Sequence, residues 1–143
     1  MTFSSIFSTS LLLLLASLMS CTASKKVNIN IDPVMTFAPQ QIDLGVVKKG
    51  ESKTMIFPFT NTGDQSIEIE MATGCKCSEI IAPVGQVFKS GEKGEIKVIF
   101  HSKDEKDYGP QKKTVDVLLI QTDPQTGYQI VKQFWYTVNL EPS

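Results

Sequence analysis

Ile67-Glu68-Ile69-Glu70-Met71 sets three apolar side chains against two carboxylates at every second position. Successive side chains of a strand point to opposite faces, so this spacing reads as a half-buried β-strand. The same period recurs on both sides of it. Met55, Phe57 and Phe59 alternate with Thr54, Ile56 and Pro58. Ile96, Val98 and Phe100 alternate with Lys97, Ile99 and His101. Phe134, Tyr136, Val138 and Leu140 alternate with Trp135, Thr137 and Asn139. Val115, Val117 and Leu119 alternate with Asp116, Leu118 and Ile120, and two such apolar faces place that strand in the middle of a sheet.

Between these runs lies turn chemistry: Lys49-Gly50-Glu51, Asn61-Thr62-Gly63-Asp64, Ser90-Gly91-Glu92-Lys93-Gly94, Tyr108-Gly109-Pro110 and Asp123-Pro124-Gln125-Thr126-Gly127. Each supplies residues suited to a positive or a fixed φ. About seven short strands punctuated this way predict an all-β fold, an antiparallel sandwich of immunoglobulin type. Pro58 cannot donate to a ladder, so it is expected at an edge or a bulge.

The chain has 143 residues and a net charge of −1. That is room for one domain and a tail. Leu11 to Ala16 is an unbroken apolar run, extended by Leu18 and Met19. It is too short for a bilayer core but suits a signal peptide. Leu18-Met19-Ser20-Cys21 then resembles a bacterial lipobox, in which the cysteine thiol accepts the lipid. The predicted organisation is a leader over 1–20, a lipidated N-terminus and flexible tether over 21–39, and the sandwich over 40–143. An extended piece is expected at Val27–Ile31.

Asp43-Leu44-Gly45, Lys49-Gly50-Glu51, the Asn61-Thr62-Gly63-Asp64 turn, Cys75-Lys76-Cys77 and the Ser90–Val98 segment follow one another in that order. From about Phe37 onward this resembles the bacterial immunoglobulin-like family of unknown function numbered 1573, common in exported lipoproteins. The resemblance implies a sandwich related in shape to the major-sperm-protein domains, and it brings no activity with it. Where the family usually has glycine between the cysteines, this chain has Lys76.

With Cys21 lipidated, Cys75 and Cys77 remain, an even number in an oxidising compartment. On a regular strand their Cα atoms would stand about 6.5 Å apart on one face. A bridge therefore requires the chain to bend at Lys76, after Gly74. Three readings stay open: a local staple or two half-buried thiols, a Cu(I) site of two thiolates, or a redox-active dithiol. Which metal, if any, the pair would take is not legible.

All fourteen basic residues are lysines, so no guanidinium fork is available for phosphate. Balanced charge argues against a nucleic-acid partner. Phosphate-cradling and nucleophile-elbow motifs are missing, and His101 reads as a solvated strand end. Glu68 and Glu70, and the loop Asp104-Glu105-Lys106-Asp107, read as solvated charge. The expectation is a non-enzymatic envelope lipoprotein without cofactor, anchored on the periplasmic side or outer surface. It would bind another envelope protein or a polymer through loops or an open strand edge. The competing expectation is a thiol-redox or copper-handling protein using Cys75 and Cys77.

Overall fold

The computed structural model describes residues 34–143, so the leader, Cys21 and the tether up to residue 33 lie outside the described residues. Alternation becomes nine strands: β1 (Thr36–Phe37), β2 (Gln41–Lys48), β3 (Ser52–Thr60), β4 (Ile67–Thr73), β5 (Ser78–Ile81), β6 (Val87–Phe88), β7 (Lys93–His101), β8 (Gly109–Thr122) and β9 (Gln129–Glu141). Two have only two residues each, which leaves seven of ordinary length. A single 3-10 turn, Ser102–Asp104, follows β7.

The strands form two sheets, ordered β1-β3-β7-β5 and β2-β9-β8-β4-β6. Both bury one face against the other. Phe57, Ile67, Ile69, Ile96, Val98, Phe100, Val117, Leu119, Phe134 and Tyr136 have no measurable exposure. Phe57 and Phe134 meet across the sheets with ring centroids 4.1 Å apart. β8 is central, as its two apolar faces require. Gly94 admits the rings beside it: a Cβ there would stand 2.4 Å from Phe59 Cζ.

Four features depart from the sequence reading. First, β2 runs parallel to β9, so the sheet is not wholly antiparallel. Asp43 shapes that edge: its carboxylate accepts from the Gly45 N–H (3.1 Å) and the Thr137 hydroxyl (2.8 Å). The left-handed Gly45 (φ 63°) takes up the register shift between Asp43 and Val46. Those hydrogen bonds, the backbone one foremost, hold the Asp43 carboxyl below its usual range.

Second, Met71 is not core. The register slips between Ile69 and Met71, so Met71 pairs with Leu118 and is 47% exposed. One extra residue turns every later side chain to the other face. Third, the expected tether ends earlier than Pro39. Met35 and Phe37 are buried, and Phe37 packs on Phe134 with centroids 4.8 Å apart. Fourth, the loop after β7 is not simply solvated. The Glu105 carboxylate pairs with Lys113 Nζ in a half-buried ion pair, and Lys49 Nζ donates to the Glu105 carbonyl.

Candidate functional site

Cys75, Lys76 and Cys77 lie between β4 and β5, where the chain turns rather than continuing as a strand. The turn closes with the Ser78 N–H donating to the Cys75 carbonyl at 3.0 Å. This brings the Cα atoms to 5.1 Å, and a disulfide joins the two cysteines. The expected bend is therefore present, but Gly74 serves it by space. A Cβ there would meet Ile80 Cδ1 at 3.0 Å and the Thr114 carbonyl at 3.4 Å.

The two sulfurs have unequal surroundings. Cys77 is 2% exposed and belongs to the core, while Cys75 is half-buried and Lys76 is exposed. Beneath Cys75 lie two hydroxyls that no sequence spacing indicated. Ser78 Oγ is 3.3 Å from Cys75 Sγ, and the Tyr136 hydroxyl is 3.8 Å from it. The two hydroxyls also hydrogen-bond to each other. Burial, with help from the Glu105 carboxylate, pushes the Tyr136 phenol up, while its bond to Ser78 opposes the shift. The phenol therefore stays protonated at neutral pH and remains a donor.

His101 stands at the same end of the sandwich. Its backbone N–H donates to the Cys77 carbonyl at 2.8 Å. Its ring is held by Ser52 Oγ at Nδ1 (3.0 Å) and faces Glu79 Oε2 from Nε2 (3.7 Å). It is thus built into the disulfide pole rather than simply solvated. Among the described residues, no group of three or more His, Cys, Asp or Glu is arranged to hold a metal ion. With both sulfurs in the bridge, neither is a thiolate, so the pair as it stands offers no soft-metal ligand.

A second feature is the outer edge of β3. The Pro58 carbonyl accepts from the Ala38 N–H at 3.2 Å. Pro58 therefore aims its backbone away from β7, toward β1, and its missing N–H leaves the β3–β7 ladder intact. This is the edge placement that its ring demands. β3 pairs with β7 in unbroken register from Ser52 to Thr60, so Ile56 and Thr54 point the same way as Pro58. Glu51 and Asn61 confirm the phase, since both bond toward the β7 side. But β1 pairs only with Phe59 and Thr60 before the chain leaves through the cis Ala38–Pro39 bond. Among the described residues, nothing pairs with the outward N–H and C=O groups of Thr54 and Ile56. Both residues are exposed, Ile56 by 44%.

The two features differ in their distance from the start of the described chain. Val34 packs on Gly63, and Thr36 pairs with Thr60. Ser52, at the other end of β3, pairs with His101 beside Cys77. The nine residues of β3 separate these poles by about 30 Å.

The family model of the protein of unknown function DUF1573 matches residues 35–132. No curated protein matches the chain in sequence. Among solved structures, a protein of unknown function from Porphyromonas gingivalis W83 is similar with a TM-score of 0.59 and 14% identity, over 75% of this chain and 46% of that one. The Vibrio cholerae VesB protease is similar with a TM-score of 0.56 and 12% identity, over 74% of this chain. The matched part spans only 32% of the VesB chain. The PapD-like domain 7 of human CEP192 gives 0.52 and 11% identity, over 78% of this chain and 88% of that one. Identities this low speak for a shared immunoglobulin-like sandwich and nothing further.

Proposed function

Because the chain belongs to the DUF1573 family, which brings no activity with it, we propose that it is a non-catalytic binding module of the cell envelope. It is held on a lipid tether at Cys21, and its open β3 edge takes up an extended segment of another envelope protein. The supporting observation is the outward row of backbone groups at Thr54 and Ile56 with which nothing among the described residues pairs. Such an edge is a template for one more strand, and soluble domains ordinarily cover or blunt it. Main-chain hydrogen bonds would supply affinity. Side chains of the incoming strand would lie beside Thr54 and Ile56, continuing the outer-face row in which Ile56 pairs with Lys97 and Lys97 with Ile81. An apolar, extended segment suits that row better than an anionic polymer.

The test is a photo-cross-linking amino acid placed at Thr54, or at Asp116 on the outer face of the other sheet, in the full chain in cells. A protein adduct is expected at position 54 and not at 116. It should be found with the membranes and should move to the soluble fraction with Cys21→Ala. Ile56→Pro removes an outward N–H without touching the β7 ladder, so it should abolish the adduct while leaving the domain folded. Adducts only at 116, or an adduct at 54 indifferent to Ile56→Pro, would overturn the proposal.

A further inference from the structure

We propose that the Cys75–Cys77 bridge is a thiol–disulfide exchange site, in which Cys75 meets the partner and Cys77 resolves. It stands apart from the β3 edge and does not depend on it.

The argument starts from what the bridge does for the fold. A disulfide across one intervening residue closes a very small loop and constrains the unfolded chain little, so stability is a poor reason for it. The turn is held by other means. The Ser78 N–H binds the Cys75 carbonyl, and the His101 N–H binds the Cys77 carbonyl. Both cysteines therefore keep their places when the bond opens, and the pair is set to close again.

Burial then divides the roles. A partner's sulfur can reach half-buried Cys75 but not Cys77, which is 2% exposed. The hydroxyls sit on the same side of this division. Ser78 Oγ and the Tyr136 hydroxyl lie 3.3 and 3.8 Å from Cys75 Sγ, while Ser78 Oγ is 3.9 Å from Cys77 Sγ. A bridged sulfur is a weak acceptor, and hydroxyls bond an anion far better. The arrangement thus favours a Cys75 thiolate. Exposed Lys76 adds a positive charge on the turn. The other charged or titratable groups nearby are the Glu105–Lys113 pair, whose carboxylate acts on the Tyr136 phenol, and the His101–Glu79 contact beyond Cys77. Finally, the site lies at the pole of the sandwich opposite Val34.

The chemistry balances with an envelope dithiol as reductant. A thiolate of that dithiol attacks Cys75 Sγ. The Cys75–Cys77 bond breaks, and Cys77 leaves as a thiolate and takes up a proton. The second thiolate of the dithiol then attacks its own partner sulfur in the mixed disulfide. Cys75 departs as a thiolate bonded by the hydroxyl pair, one hydroxyl donating to the sulfur and the other to its neighbour. Two electrons and one proton have passed to the cysteine pair, the dithiol's other proton has gone to solvent, and the dithiol has become a disulfide. In the opposite direction the Cys75 thiolate attacks a partner's disulfide, and Cys77 then attacks Cys75 Sγ to release the partner reduced.

The test uses the full chain reduced with dithiothreitol and alkylated by iodoacetamide across pH, with mass spectrometry reading each cysteine. Cys75 is expected to react about tenfold faster than Cys77 at neutral pH, with its midpoint below the ordinary thiol value of about 8.5. Tyr136→Phe and Ser78→Ala should each move that midpoint up, a readout that a purely structural role would leave in place. Cys77→Ser should trap a mixed disulfide with Ellman's reagent at Cys75, and Cys75→Ser should trap almost none. Equal rates with ordinary midpoints in every variant, or a bridge that excess dithiothreitol leaves closed in the folded protein, would overturn the proposal. Neither result bears on the β3 edge, which the cross-linking tests separately.

Discussion

Phe57→Ala is expected to cost about 3–5 kcal/mol of stability. Whole domains hold only about 5–15 kcal/mol, so this loss is a large fraction of the total. The cause is position as much as size. Phe57 has no exposure, and its ring sits 4.1 Å, centroid to centroid, from Phe134 of the facing sheet. Phe134 in turn meets Phe37 at 4.8 Å. Removing the Phe57 ring opens a cavity where the two sheets join, and the hydrogen-bonded sheet backbone can collapse only in part to fill it. Urea unfolding followed by circular dichroism reads the loss. A change below about 1 kcal/mol would mean that the two sheets do not meet at Phe57.

Asn61→Ala is the second large effect, through hydrogen bonds rather than volume. Asn61 is fully buried at the end of β3. Its amide donates to the Phe88 carbonyl (2.9 Å) and the Gln65 carbonyl (2.8 Å), and its Oδ1 accepts from the Gly63 N–H (3.0 Å). Alanine strands these groups, and each buried polar group left without a partner costs about 1–3 kcal/mol. A total loss of about 3 kcal/mol is expected. Asn61→Asp should lose a comparable amount, since it keeps the acceptor for Gly63 but turns a carboxylate toward two carbonyls. An aspartate variant as stable as the wild type would contradict this account of the turn.

Much of the sandwich was legible because burial has period two wherever pairing is regular. The inward residues of β3, β7, β8 and β9 are the ones that alternation marks. Met71 escaped because a bulge arises from pairing with β8, which the local pattern of β4 does not contain. The parallel pairing of β2 with β9 joins the beginning of the sandwich to its end, beyond the reach of any window. Met35 and Phe37 escaped because two residues of strand carry no period.

The candidate sites divide in the same way. The Cys75-Lys76-Cys77 spacing showed that a bridge needs a bend, and the bend is there. Its neighbours Ser78 and Tyr136 meet only because β5 and β9 face each other across the sandwich, so no local motif announces them. Pro58 was the one residue that signalled the open edge, since a strand interior accepts proline only where its N–H is not needed. Cys21, which the sequence marks as a lipid attachment site, lies outside the described residues.

Amide hydrogen exchange of the full chain, free of partners, reads the edge residue by residue. The Met55 and Phe57 N–H groups bond β7 and should be strongly protected. Those of Thr54 and Ile56 point outward and should exchange nearly as fast as in an unstructured peptide. Alternating protection along β3 is the predicted result; uniform protection of all four amides would mean that the edge is already filled, and would contradict the account.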